Sequence, residues 1–208
     1  MLRAILDILL PRFCLGCGRE GKYICDKCSV FLSEAPPSKE VFSVWEYEGL
    51  MEKLIEEIKF KGRYHIIEEL IEKALKIIEL NLPEGTVITF VPMYRKKERE
   101  RGFNQSELIA QFLVGKLWNF VQGTPRPRVL ALLKKIRDNR SQVGLNPRER
   151  EENVRDVFKF CGSFAPKNVL LVDDVYTTGA TTRECVRVLR RAGVKKVWIF
   201  TLARKMRI

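Results

Sequence analysis

At 208 residues, with 46% hydrophobic and 31% charged content, the chain is long enough to bury one sizeable core with a small appendage, and its composition excludes a disordered polymer. The formal net charge of +12 is concentrated, because residues 93–102, 126–155 and 183–207 together hold 23 basic and seven acidic side chains. That distribution favours a polyanionic partner, whether a pyrophosphate, a phosphorylated sugar or nucleic acid, although charge runs also serve as plain solvated faces.

Met1–Leu10 is apolar but carries Arg3 and Asp7 and runs into Pro11, which predicts a short amphipathic helix, no membrane insertion and a cytoplasmic protein. Next come Cys14-x-x-Cys17 and Cys25-x-x-Cys28, with Gly16, Gly18 and Gly21 to turn the backbone. Two such pairs supply four thiolates for a closed structural zinc site. Disulfides are the alternative, disfavoured without a secretion signal. Cys161 and Cys185 sit among apolar neighbours and read as core residues. Ser33, Pro36, Pro37 and Ser38 mark a linker, so the predicted division is a finger with its leading helix over 1–38 and a main domain over 39–208.

The main domain opens with the alternating Val41–Tyr47, a strand. Two amphipathic helices follow, the first with Met51, Leu54, Ile55 and Ile58 on one face and the second with Ile67, Leu70, Ile71, Ala74 and Ile78, joined by Lys59–Gly62. His65, the only histidine, reads as a cap or surface residue at the start of the second helix. Val87–Val91 is a buried strand ended by Pro92. The basic stretch after it is expected to be a loop at the carboxyl end of a sheet strand, where Arg95, Lys96, Arg99 and Arg101 could meet a pyrophosphate. Asn104 then caps a helix, with Glu107 returning the bond and Phe103 and Leu108 at staple positions. Val129–Lys134 reads as another strand, and the polar run from Ile136 to Arg150 as a lid or an exposed loop.

Val169–Thr182 is the most informative stretch. Four apolar residues suit a strand buried on both faces, Asp173 and Asp174 follow, and a hydroxyl-rich loop with Gly179 opens a helix. Adjacent aspartates at a strand end call for hydroxyls or a cation, and the loop is suited to a phosphate, so a ribose 5-phosphate satisfies both halves. The plainer reading is a strand-to-helix turn in which Thr181-x-x-Glu184 forms a capping box. The last helix places Cys185, Val188, Leu189 and Ala192 at core spacing. Arg183, Arg187, Arg190 and Arg191 form a stripe that is either a solvated face or a contact for phosphate backbone. Val197–Phe200 completes a strand–helix–strand unit, and the fold class expected is α/β, a mostly parallel sheet with helices on both faces plus the zinc finger.

Val169–Thr182 resembles the phosphoribosyl pyrophosphate (PRPP) motif of type I phosphoribosyltransferases. The resemblance implies that Asp173 and Asp174 hold the ribose 2- and 3-hydroxyls, that Thr177, Thr178, Gly179, Ala180 and Thr181 cradle the 5-phosphate, and that Mg²⁺ accompanies PRPP. With the cysteine pairs, Arg101–Ser106, Arg140–Asn153 and Thr201–Arg204 in order, the whole chain resembles the ComF (ComFC) family of competence-associated proteins. That likeness implies a role in handling incoming DNA during natural transformation, with single-stranded DNA and DNA-uptake helicase or recombination proteins as partners. Arg140, Gln142 and Arg150 look like that family's polar positions over the site. A catalytic phosphoribosyltransferase acting on an acceptor that these residues do not name is the competing expectation, since no dedicated general base is visible. If the finger holds DNA, Phe13, Tyr23 and Phe31 are candidates for stacking on bases.

Overall fold

The computed structural model describes residues 11–118, 127–138 and 155–206. Expectations for the leading helix, for Arg140, Gln142 and Arg150, and for most of the polar loop fall outside these residues. The elements run α1 (Asp26–Ser29), β1 (Val41–Glu46), α2 (Gly49–Lys61), α3 (His65–Ala74), β2 (Val87–Phe90), α4 (Arg95–Arg101), α5 (Gln105–Trp118), β3 (Leu133–Lys135), β4 (Phe158–Phe160), β5 (Asn168–Tyr176), α6 (Ala180–Arg191) and β6 (Lys196–Arg204).

Four strands form one sheet in the order β1-β6-β5-β2, and every pairing in it is parallel. The run Val169–Val172 is wholly buried because both of its faces are covered, as the absence of polar alternation predicts. Leu170 and Val172 face one core with Ile88, Phe90 and Phe200, packed under α2, α3 and α5. Val169 and Leu171 face a second core with Val197 and Ile199, packed under Cys185 and Leu189 of α6. The helix faces follow the sequence pattern: Met51, Leu54, Ile55 and Ile58 of α2 and Ile67, Leu70, Ile71 and Ala74 of α3 are all buried, while Ile78 lies past the end of α3. No described helix is long and apolar enough to cross a membrane.

Several expectations need correction. Lys59–Gly62 is not a joint, because nothing breaks the helix before Gly62, which takes a left-handed φ of 65° and ends α2. The basic stretch from Arg95 is not a loop but the two-turn helix α4, stopped by Gly102 at φ 85°. Val129 makes one bridge to Ile88 at the edge of β2, and the strand proper starts at Leu133. It pairs antiparallel with β4, a short segment the sequence reading passed over. Cys161 is exposed, whereas Cys185 is fully buried. Thr181 does not cap α6: Gly179 is the residue preceding the helix, and Glu184 instead accepts the Asp156 amide and bonds Arg187.

The cysteine-bearing segment sits directly on the main core. Ile24 and Leu32 are buried in the same cluster as α2 and α3, and Ala35 donates to Val44 of β1. Glu69 of α3 reaches across to accept the amides of Tyr23 (3.2 Å) and Ile24 (3.1 Å) and to pair with Arg12 at 3.5 Å. One carboxylate therefore satisfies two amides that no strand serves. Glu69→Ala is expected to lower stability by about 1–3 kcal/mol and to free the finger for limited proteolysis between Arg12 and Lys22, read against the wild-type digest.

Candidate ligand site and metal centre

The site is created where β2 stops. Phe90 is the last β2 residue in register, opposite Val172, and Val91 closes the ladder by donating to the Val172 carbonyl at 2.9 Å. Strand β5 runs on, paired only with β6 through Asp173↔Thr201, Val175↔Ala203 and Tyr176↔Arg204. The aspartates thus lie within the strand rather than at its exit, beside a notch that β2 has vacated. The flanking helices α5 and α6 pack on opposite faces there, the switch point at which open α/β sheets place their ligands.

Asn104 fixes the mouth of the notch. Its side-chain amide donates to the Val91 carbonyl (3.1 Å) and its Oδ1 accepts the Ser106 amide (3.0 Å), so it caps α5 as expected. No reciprocal bond from Glu107 occurs among the described residues; Glu107 instead accepts from Gln111. The cap delivers the next two residues to the acids: Ser106 Oγ donates to Asp173 at 2.9 Å and Gln105 Nε2 to Asp174 at 3.0 Å. Lys59 Nζ pairs with Asp174 at 2.9 Å, and Arg101 donates to the side-chain Oε1 of Gln105 at 2.7 Å.

Burial and the neighbouring Asp174 charge raise the Asp173 carboxyl to about 7, against the bond from Ser106. Burial works against the Lys59 charge, but Asp174, aided by Asp173, outweighs it and raises the lysine pKa. Burial lowers that of Arg101. The acid pair is therefore held at high cost in desolvation, met by one ammonium and two neutral donors.

Beyond Tyr176 the chain forms the expected loop. Gly179 has φ 75°, where a Cβ would run into the Tyr176 hydroxyl, so glycine is required twice over. Thr178 Oγ1 accepts the Ala180 amide, the Thr182 hydroxyl donates to Gly179, and Arg183 donates to the Thr178 carbonyl. A cavity of about 360 Å³ opens beside this loop, lined by Tyr176, Thr177, Thr178, Arg204, Lys205 and Met206. Loop and acids are thus contiguous in one strand–turn–helix unit.

Of the four basic candidates on α4, Arg101 alone is joined to the acids by a described contact, through Gln105. Arg95, Lys96 and Arg99 are exposed. Lys59, Gln105 and Ser106 were not anticipated as site residues. Lys59 had a signal in the sequence: it lies four residues after Ile55, on the apolar stripe of α2, where a lysine requires an anionic partner. On the far helix, Arg187 pairs with Glu184 and Asp156, and Arg183, Arg190 and Arg191 are exposed.

The four cysteines form a second centre. The Sγ atoms of Cys14, Cys17, Cys25 and Cys28 all lie within 4.8 Å of one another, a grouping that could hold a metal such as zinc. Burial pushes the Cys14 thiol up, but the amides of Cys25, Cys17 and Gly16 bring it down to about 6. Burial and the other three sulfurs raise Cys28 to about 12. Gly18 and Gly21 take positive φ, whereas Gly16 is needed for space: a Cβ there would lie 2.8 Å from the Cys28 sulfur.

Residues 109–207 match the family described as phosphoribosyl transferase domain. Over 202 residues the chain is 29% identical to competence protein F of Haemophilus influenzae, covering 92% of this chain and 84% of that one. This chain is a homologue of the competence protein. ComFC of Bacillus subtilis is 28% identical over 209 residues, covering 97% of this chain and 82% of that one. The DNA utilization protein YhgH of Escherichia coli K12 is 28% identical over 200, covering 93% and 84%. The likeness to these relatives covers nearly the whole chain and is thus wider than the phosphoribosyl transferase match over 109–207.

If the cluster is a structural zinc site, the purified chain should carry one zinc per chain by elemental analysis. Gly16→Ala, by crowding Cys28, should lower zinc retention under a competing chelator about tenfold or more, whereas Cys161→Ser should leave it unchanged.

Proposed function

We propose that the chain is a PRPP-binding protein of the phosphoribosyltransferase type that works on DNA during its uptake or use. One observation carries the first half: the acid pair on β5 and the Gly179 loop that follows it form one strand–turn–helix unit at the notch where β2 ends, a combination suited to a sugar with vicinal hydroxyls and a phosphate. Asp173 and Asp174 take the 2- and 3-hydroxyls, and Thr177–Thr181 the 5-phosphate, at the N-terminus of α6. Asp173 and Asp174 offer the hard oxygen donors that suit Mg²⁺, which would supply charge neutralisation for the ligand's diphosphate.

The second half rests on the surface between finger and site. Arg63 lies 5.9 Å from the Tyr23 ring, Tyr64 lies against His65 at 4.3 Å with the rings tilted by 38° and meets Phe103 edge-on at 6.0 Å, and Arg101 lies 5.9 Å from Phe60. Phe60 is 76% exposed and Tyr64 41%, so planar surface alternates with guanidinium from the finger to the acids. Such a ladder suits single-stranded nucleic acid, whose bases stack and whose phosphates pair with arginine. The names of the relatives, competence and DNA utilization, support the same reading. Of the stacking residues expected on the finger, Tyr23 joins this ladder, while Phe13 and Phe31 stand exposed outside it. The phosphoribosyl transferase match favours one further reading, transfer of the sugar to an acceptor. Pyrophosphate release with PRPP, Mg²⁺ and an amine, base or oligonucleotide would establish it.

Calorimetric titration with PRPP and Mg²⁺ should give saturable binding that Asp173→Ala with Asp174→Ala abolishes while the near-ultraviolet spectrum stays native. Retained affinity would refute the ligand assignment. Anisotropy with a labelled oligothymidine should show affinity falling steeply with salt, and Phe60→Ala with Tyr64→Ala should weaken it by about tenfold or more at fixed salt. An affinity indifferent to salt and to both rings would rule the ladder out.

A further inference from the structure

The diphosphate of PRPP is attached one carbon away from the 2-hydroxyl, so its pocket must open within a few ångströms of the carboxylates that take that hydroxyl. A cavity of about 380 Å³ meets this demand, lined by Lys59, Phe60, Gly62, Lys97, Glu100 and Arg101. Three cations line it against a single acid, and Lys59 both lines it and contacts Asp174 at 2.9 Å. Neither Arg95, Lys96 nor Arg99 lines it.

We infer that Lys59 is a ligand-binding residue whose ammonium bridges Asp174 to the diphosphate, with Arg101 and Lys97 on the other wall of the same pocket. The inference rests on the PRPP reading above. Its geometry is set by α2: Ile55 and Ile58 are buried, which brings the lysine at the next turn into the sheet-side interior and leaves its tip directed at the carboxylates. A lysine retained only to neutralise Asp174 has no need of a cavity beyond it. This one stands between a carboxylate and a cationic pocket, and ligand hydroxyls arriving at Asp174 would release its ammonium toward the incoming diphosphate. Gln105 carries the same link on the other side, since it joins Asp174 to Arg101. Occupancy of the acid pair and of the diphosphate pocket is thereby coupled through two side chains.

Calorimetry on the full chain with ribose 5-phosphate and with PRPP, both with Mg²⁺, tests this. Wild type should bind PRPP the more tightly. In Lys59→Gln that advantage should shrink about 10- to 100-fold, over and above any loss that both ligands share from the unpaired Asp174, and Lys59→Arg should restore most of it. An undiminished PRPP advantage in Lys59→Gln overturns the assignment, as does equal loss of both ligands, which a purely structural lysine would produce. If wild type binds both ligands equally, the PRPP site stands and the diphosphate role falls; if it binds neither, both fall. Should Lys59→Gln not fold, Arg101→Gln on the partly exposed wall carries the same comparison.

Discussion

Two adjacent carboxylates on a central strand would be untenable inside this molecule without the partners that the surrounding elements bring to them. Asp174 is nearly sealed from solvent, and Asp173 is held well above the usual carboxylate range by burial and by its neighbour. The structure answers with a lysine from α2 and a glutamine and a serine from the first turn of α5, the latter two aimed by the cap at Asn104. Removing the lysine would leave the Asp174 charge without its ion-pair partner, and removing the serine or the glutamine would leave a carboxylate oxygen short of a donor. Much of the architecture around the notch can be understood as support for that arrangement.

The sheet makes such support available. Because β2 is four residues long and β5 is nine, the central strand outruns its neighbour and its last residues face a gap instead of a ladder. Because all pairings are parallel, each connection returns over a face, so α5 and α6 flank the same strand end from opposite sides. The acids and the Gly179 loop are close in sequence, whereas the partners of the acids come from two elements, α2 and α5, spread over Lys59 to Ser106. One side of the notch is thus set locally along the chain, and the other depends on how α2 and α5 dock.

The finger is tied into this arrangement by charge and apolar contact alike. Glu69 and Lys73 on α3 hold Tyr23, Ile24 and Asp26, and Ile24 shares the core that also contains Ile55 and Ile58, the residues that orient Lys59. A metal drawing the four sulfurs together would therefore brace the same cluster that positions the lysine. The cysteine cluster and the acid pair are thus linked through one shared apolar core.

Features whose constraints are local were legible in the sequence. The cysteine pairs, the buried run of β5, the Gly179 loop and the cap at Asn104 each depend on neighbours a few residues away, and each lies in the structure where its pattern places it, whereas the acid pair sits inside β5 and not at its exit. The helix α4 was misread because charge suggested a loop, although nothing between Arg95 and Arg101 breaks a helix. Cys161 was misread because apolar neighbours do not decide burial just past the end of a short strand in a two-stranded sheet. What the tertiary structure decided is which distant side chains meet the acids. Lys59 could be recognised from its stripe as a lysine needing an anion, but its partner is more than a hundred residues away. The choice of Asp174 rests on strand order and helix docking, which pairwise spacing along a chain does not encode.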